Sequence, residues 1–371
     1  MARPRFLPDN FTLMLVATVA LASFLPAHGE GEVAFNLLTN VAIAALFFLH
    51  GAKLSREAVL AGATHWRLHL LVFASTFVIF PIVGVALKPV LSWMVTPELY
   101  LGILFLCTLP ATVQSAIAFT SIARGNVPAA VCSASASSLF GIFITPVLVG
   151  LIVIHHDGNT GASPFDSIGN IMLQLLVPFI AGQLSRKAIG KWVERNRTLL
   201  KVVDQGSILL VVYTAFSEAV NTGLWHQIPL LALLGLLGCC AVILAIMLAV
   251  TTYSARWLGF SREDEITIVF CGSKKSLASG IPMAKVLFAT GPLGAIVLPL
   301  MLFHQMQLMV CAVLAQRYAN RARAAQAGKA VKAGASNGST NGSTSGATNG
   351  ATKPVGHDGK ADGGAKAGAG H

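Results

Sequence analysis

Apolar runs about as long as a bilayer is thick, joined by short polar links, organise this chain to about position 316. A spanning helix takes about 20 mostly apolar residues. Ten stretches meet that pattern, at roughly 11–26, 33–50, 68–87, 98–122, 127–152, 168–184, 203–220, 228–254, 265–289 and 292–316. Two segments do not. LSREAVLAGATHWR, from Leu54 to Arg67, places Leu54, Val59, Leu60 and Trp66 as a surface amphipathic helix would. Past about Ala325 the chain turns to near-repeats such as NGST and NGSTSGATNGAT, which cannot bury enough apolar surface to offset ordering. Residues 319–371 are therefore expected to be a disordered basic tail.

Composition agrees with membrane spans. Of 371 residues 54% are hydrophobic and 11% charged, with a mean hydropathy of +0.70. A soluble chain carries about 25% charged residues, so a soluble enzyme, a nucleic-acid binder and a disulfide scaffold are excluded together. The six cysteines all fall inside apolar stretches without metal-ligand spacing and read as small buried hydrophobes. Arg3 and Arg5 before the first run resemble a signal peptide, but no convincing small-residue cleavage site follows, so a retained helix is expected.

The net charge of +11 lies in the links, where Lys and Arg set orientation. Arg3, Arg5, Lys53, Arg56, Arg67, Arg124, Arg186, Lys187, Lys191, Arg195, Arg197, Lys201, Arg256, Arg262, Arg317, Arg321 and Arg323 fall on one side, and Lys88 alone on the other. A wrong span count would scramble that bias. The reading is a multi-pass protein of the plasma (inner) membrane with both termini cytoplasmic, residues 1–10 forming the cytoplasmic start.

Residues 11–152 and 168–318 each hold five spans, with 153–167 an extracytoplasmic loop. Five is odd, so the second half enters the membrane inverted, a frequent transporter architecture whose site lies where discontinuous helices meet. Breakers occur at matching places. Span four carries Cys107-Thr108-Leu109-Pro110-Ala111-Thr112-Val113-Gln114-Ser115, and span nine carries Cys271-Gly272-Ser273-Lys274-Lys275-Ser276. Counting about 1.5 Å per residue from Glu98 and from Asp264 puts both near the middle of a core about 30 Å thick.

Lys274 and Lys275 are the most informative residues. A charge at mid-bilayer costs at least about 2.5–3.5 kcal/mol, and neither surface is within one side chain's reach. No carboxylate lies well inside a span; Asp204 and Glu218 come nearest. Such lysines want an anion, a helix C-terminus or deprotonation. Thr112, Gln114, Ser115, Ser273 and Ser276 surround them as hydrogen-bonding groups, and Thr76 and Gln305 are candidates from neighbouring spans, with His304 and Gln307 nearby. His50 and Lys53 read as interfacial, and His155-His156-Asp157 lacks further ligands for a metal. No P-loop, G-x-S-x-G or H-E-x-x-H is present, so ATP-driven transport and intramembrane hydrolysis are disfavoured. No catalytic or metal residues are assigned, and the chain is not read as an enzyme.

These residues resemble the bile acid:sodium symporter family. Ala123-Arg124-Gly125-Asn126-Val127, Phe270 to Ser279 (FCGSKKSLAS) and His304-Gln305-Met306-Gln307-Leu308 carry the likeness, over roughly 8–318. The string GSKKSLASG is similar to the branch of sodium/bile acid cotransporter 7 type proteins and their bacterial relatives. The resemblance implies an all-α membrane protein of ten helices in two inverted five-helix repeats. It also implies a core domain moving against a panel domain, with helices 4 and 9 broken and crossing. Sodium-coupled members place Ser/Asn-type ligands at the first crossover and a Glu with a following Gln at the second. Here Ser115 matches, Ala116 and Ile117 stand where an Asn belongs, Phe270 replaces the Glu and Lys274 the Gln. No cofactor is expected, and sodium, the one candidate ion, lacks its acidic ligand, which leaves sodium coupling in question. A lysine ammonium could take the place of a coupling cation, in a facilitator or a proton-linked carrier; its sign also suits an anionic substrate.

The expected function is secondary transport of a small organic anion by alternating access, with the anion and the lipid bilayer as partners and no nucleic acid. The alternative is a transporter-like membrane regulator or scaffold without net flux, in which the Arg186–Lys201 cluster and the basic tail serve a partner or anionic lipid.

Overall fold

The computed structural model describes residues 10–53, 65–153, 164–223, 229–288 and 291–338, and every regular element among them is helical. We number the helices α1 (Asn10–Phe24), α2 (Glu30–Lys53), α3 (Trp66–Ala74), α4 (Phe80–Ala86), α5 (Lys88–Leu91), α6 (Pro97–Thr108), α7 (Gln114–Ile122) and α8 (Val127–Ile152). Then follow α9 (Pro164–Arg195), α10 (Arg197–Asn221), α11 (Leu230–Trp257), α12 (Arg262–Gly272), α13 (Leu277–Leu287) and α14 (Leu293–Gly338). A π turn, Ser75–Ile79, joins α3 to α4.

Helix lies over each of the ten apolar stretches. Six described helices are long and apolar enough to cross a membrane: Glu30–Lys53, Trp66–Ala86, Val127–Ile152, Thr198–Asn221, Leu230–Trp257 and Leu293–Ala322. Residues 54–64, which hold most of the expected surface helix, and His155-His156-Asp157 lie outside the described residues. So do residues 339–371. Within the terminal unit that begins at Arg323, helix continues to Gly338, past the boundary expected at 318. Its Ala-rich sequence is a good helix former even without apolar burial.

Helices α1, α2, α9 and α10 pack on one another, and the α2–α9 face is the most extensive in the molecule. Two glycines explain that face. A Cβ on Gly51 would run into the backbone carbonyl of Phe179, and one on Gly182 into that of Phe48. Small residues let membrane helices approach this closely. A buried hydroxyl pair, Thr39 to Thr214 at 2.8 Å, adds an α2–α10 contact.

The helices from α3 to α8 with α11 and α12 form a second group, with α12 against α3, α7, α8 and α11, and α6 against α4 and α8; α13 is tied to it by the Ser276 N–H on the Pro110 carbonyl and by Gly280 against Leu109 and Leu300. At Gly102 of α6 a Cβ would meet the Ile296 carbonyl and Pro299, which brings α14 into the same group. The groups touch through α8–α9, α9–α13 and α10–α13. All six cysteines are buried.

Candidate functional site: the crossing of two broken helices

Both expected interruptions are real, and each has a local cause. Helix α6 starts on the Thr96 cap with Pro97 in its first turn and Glu98 beside it. It stops at Thr108 because Leu109 is extended (ψ 156°) ahead of Pro110. Helix α12 starts on the Ser261 cap, with Glu263, Asp264 and Glu265 in its first turn, and stops at Gly272 without any proline. Its continuation α13 begins on Ser276, whose Oγ accepts from the Ser279 N–H at 3.2 Å. The breaks touch directly: the Ser276 N–H donates to the Pro110 carbonyl at 2.9 Å.

A helix end leaves carbonyls without intrahelical donors, and at the end of α6 each one finds a partner. Leu109 N–H returns to the Leu106 carbonyl at 3.3 Å, and Thr145 Oγ1 donates to that of Thr108 at 2.9 Å. The Lys275 ammonium donates to the carbonyls of Cys107 (2.8 Å) and Leu109 (2.7 Å). Its third bond goes to the Thr76 carbonyl at 2.8 Å, and the Phe80 ring lies 4.1 Å from the nitrogen. An ammonium has three donors and no acceptor, so this cage saturates it. Its charge sits where a helix C-terminus favours a cation.

The π turn explains why the Thr76 carbonyl is available. Phe80 N–H bonds the Ser75 carbonyl in that register, and the next donor in line would be residue 81, a proline without an N–H. Gln307, wholly buried, holds the lysine's backbone: its Oε1 accepts from Lys275 N–H and its Nε2 donates to the Lys275 carbonyl, both at 2.9 Å. His304 Nδ1 lies 2.9 Å from that amide nitrogen.

Lys274 is equally buried but differently held. It donates to the Ser115 carbonyl at 3.0 Å and lies 4.1 Å from the Phe119 ring and 5.3 Å from Phe270. Phe270, at the position where the family resemblance sought an acid, is thus part of an aromatic wall beside a cation.

The other candidate residues divide in two. Thr112 and Ser115 pair their hydroxyls at 2.7 Å, Ser273 Oγ bonds the Val269 carbonyl, and Thr76 Oγ1 the Val72 carbonyl. Those groups shape the breaks. Thr76 reaches the lysine through its backbone, and the clamp on Lys275 comes from Gln307, two positions beyond Gln305. Gln114 is exposed. It opens on a cavity of about 390 Å³ lined by Lys53, Arg186, Val193, Glu194, Leu200, Lys201 and Asp204. These seven all come from α2, α9 and α10 of the first helix group, and Gln114 of α7 brings the second group to the cavity. Lys53 pairs with Asp204 Oδ2 at 2.5 Å; Asp204 Oδ1 and Arg186 Nη1 are buried without a partner. Helix α7, which begins at Gln114, has no side-chain cap. In the sequence Lys53, Arg186 and Lys201 look like interfacial or orientation charges, because nothing local shows which way a helix end is turned; the structure puts all three in the cavity wall.

The A-R-G-N step turns out to be a joint. Arg124 adopts φ 63°, Asn126 caps α8 through Ala129 N–H, and its Nδ2 donates to Asp264 at 2.8 Å. It fastens the far end of α7 to the start of α12.

With this geometry known, the relatives fit. The sequence of the SBF-like CPA transporter family matches residues 9–320. The chain belongs to that family. It is 72% identical over 321 residues to "Uncharacterized protein PA2026" of Pseudomonas aeruginosa, covering 86% of this chain and 96% of the relative. It is 60% identical over 322 residues to "Putative symporter YfeH" of Escherichia coli, covering 86% and 95%. It is 31% identical over 311 residues to the rat sodium/bile acid cotransporter 7, covering 82% and 90%. Family and relatives are transporters or symporters rather than enzymes, and the protein is a multi-pass membrane transporter of this family.

Proposed function

We propose that the protein carries a small organic anion by alternating access, without sodium at the crossing. The fold behind this reading is ten spans in two inverted five-helix repeats, with both termini cytoplasmic in the plasma (inner) membrane. The basic ends of α2, α9 and α10 then put the mouth of the cavity at the cytoplasm.

One observation carries the substrate class. The cavity that reaches the first break has an uncapped helix N-terminus on one wall, at Gln114. A buried guanidinium nitrogen without a partner, Arg186 Nη1, belongs to the other wall. Helix N-termini and guanidinium groups both favour anions. Lys53, Arg186 and Lys201 outnumber Glu194 and Asp204 in the lining. The charge that meets substrate is accordingly that of Arg186 and its neighbours, while the two break lysines hold the crossing together. Arguing against sodium, Phe270 stands at the acidic position and both lysine ammonium groups already occupy the crossing.

The test is the melting temperature of purified protein against a panel of organic anions, each in sodium and in potassium at equal ionic strength. Binding at a hundredfold excess over Kd stabilises by about 2.7 kcal/mol. The expected result is an anion-specific shift equal in both salts and lost in Arg186→Gln. A sodium-specific shift would overturn the ion reading. No shift with any anion would favour the transporter-like regulator.

A further inference from the structure

We infer that Lys275 is a tethered cation. Its ammonium fills a monovalent-cation site built by the Thr76, Cys107 and Leu109 carbonyls and the Phe80 ring, and this site remains when the amine is removed. The inference deepens the sodium-independent reading above and rests on it only for its functional meaning.

Every oxygen in the cage is a backbone oxygen, contributed by two segments other than the lysine's own, the π turn and the C-terminal end of α6. Each lacks a helical donor for its own reason. The Thr76 carbonyl is passed over by the π turn and then meets Pro81. The Cys107 carbonyl would receive the Ala111 N–H four residues on, but that group donates to Ser137 Oγ at 3.0 Å. Leu109 lies outside the helix, with extended backbone. Removing the lysine side chain leaves all three oxygens in place and without a hydrogen.

The three oxygens lie 2.7–2.8 Å from one nitrogen. Convergent backbone carbonyls are a standard way to hold a bare monovalent cation, and the phenyl face adds a further favourable contact. No carboxylate takes part: the ion pairs among the described residues are Lys53–Asp204, Arg256–Glu265 and Lys285–Glu218. An unpaired buried charge is otherwise costly, so the cage and the C-terminus of α6 together are what make this position tolerable. Lys274 has no such cage, with one carbonyl and two rings. At the crossing, Ser276 N–H meets the Pro110 carbonyl one residue away from the ammonium's own ligands, so the chain itself supplies the group that fills the cage.

The test compares the full-length parent, Lys275→Ala and Lys275→Met in detergent. Melting temperatures are read at equal ionic strength in the chlorides of N-methylglucamine, sodium, potassium, ammonium and methylammonium. Lys275→Ala empties the cage, while Lys275→Met fills the path of the stem without charge. Lys275→Ala should melt well below the parent in N-methylglucamine. It should regain a saturable shift of about 3 °C or more in ammonium or another small cation. The parent and Lys275→Met should show no cation-specific shift. Equal melting of Lys275→Ala in all salts overturns the inference, as does the same rescue in Lys275→Met. If Lys275→Ala is too unstable to purify, the monodisperse peak of crude detergent extracts made in each salt decides: a peak in ammonium but not in N-methylglucamine supports the cage, and none in any salt overturns it. Neither result depends on transport, so the anion reading can fail while the cage stands, and the reverse.

Discussion

Gln307 makes the two hydrogen bonds to Lys275 that a neighbouring peptide group would make in a sheet. Because Lys275 lies in a break, its N–H and carbonyl have no helical partners, and the side-chain amide replaces both. Gln307→Leu strands the buried Lys275 N–H at about 1–3 kcal/mol and leaves its carbonyl only the 3.5 Å contact with His304 Nδ1. We expect a lower melting temperature with no cation dependence, since the ammonium cage is untouched. A melting temperature within about 1 °C of the parent would sink this assignment. The amide pair Gln305 and Gln307 was visible in the sequence, but residues two apart point to different sides of a helix. Only the rotation of α14 could say which one faces the break. The lysines were legible for a simpler reason: two adjacent charges at mid-span have no bland explanation.

At the scale of elements, the two interruptions were legible to different degrees. Pro110 after an extended Leu109 stops α6 by a rule readable in sequence. The second break has no proline, and only its polar run GSKKS marked it. The π turn was not legible, since it depends on the Phe80 N–H choosing Ser75 over Thr76. The α2–α9 contact was equally hidden: Gly51 and Gly182 look like any two membrane glycines until each is found under the other helix's backbone. Gly182→Val should force these helices apart, with a cost of about 1–3 kcal/mol or more from overpacking. The check is thermal unfolding of the variant beside Gly206→Val, a helical glycine with nothing near its Cβ position. If both variants melt alike, the tight face is not what holds α2 to α9.

For the whole molecule, α10 links the cavity to the far side of the helix packing. Near its start Asp204 joins Lys53 in the wall of the cavity. Fourteen residues on, about 21 Å along the axis, Glu218 pairs with Lys285 of α13 at 3.3 Å. That second pair joins the two helix groups, and it does so at the end away from the cavity mouth. On the alternating-access reading proposed above, a cavity at one end of α10 and an ion pair at the other are what an inward-facing carrier would have. With Lys285 10% and Glu218 33% exposed, the pair should contribute about 1 kcal/mol, and its loss should shift the balance toward outward opening about fivefold. The measurement is labelling of Gln114→Cys by a membrane-impermeant maleimide from each side of oriented membranes, the native cysteines being buried. With Glu218 intact, reagent on the cytoplasmic side should react faster. Adding Glu218→Gln should raise labelling from the opposite side and lower it from the cytoplasm. Unchanged labelling from both sides would mean that the Lys285–Glu218 pair only stabilises the fold and that the gate lies elsewhere.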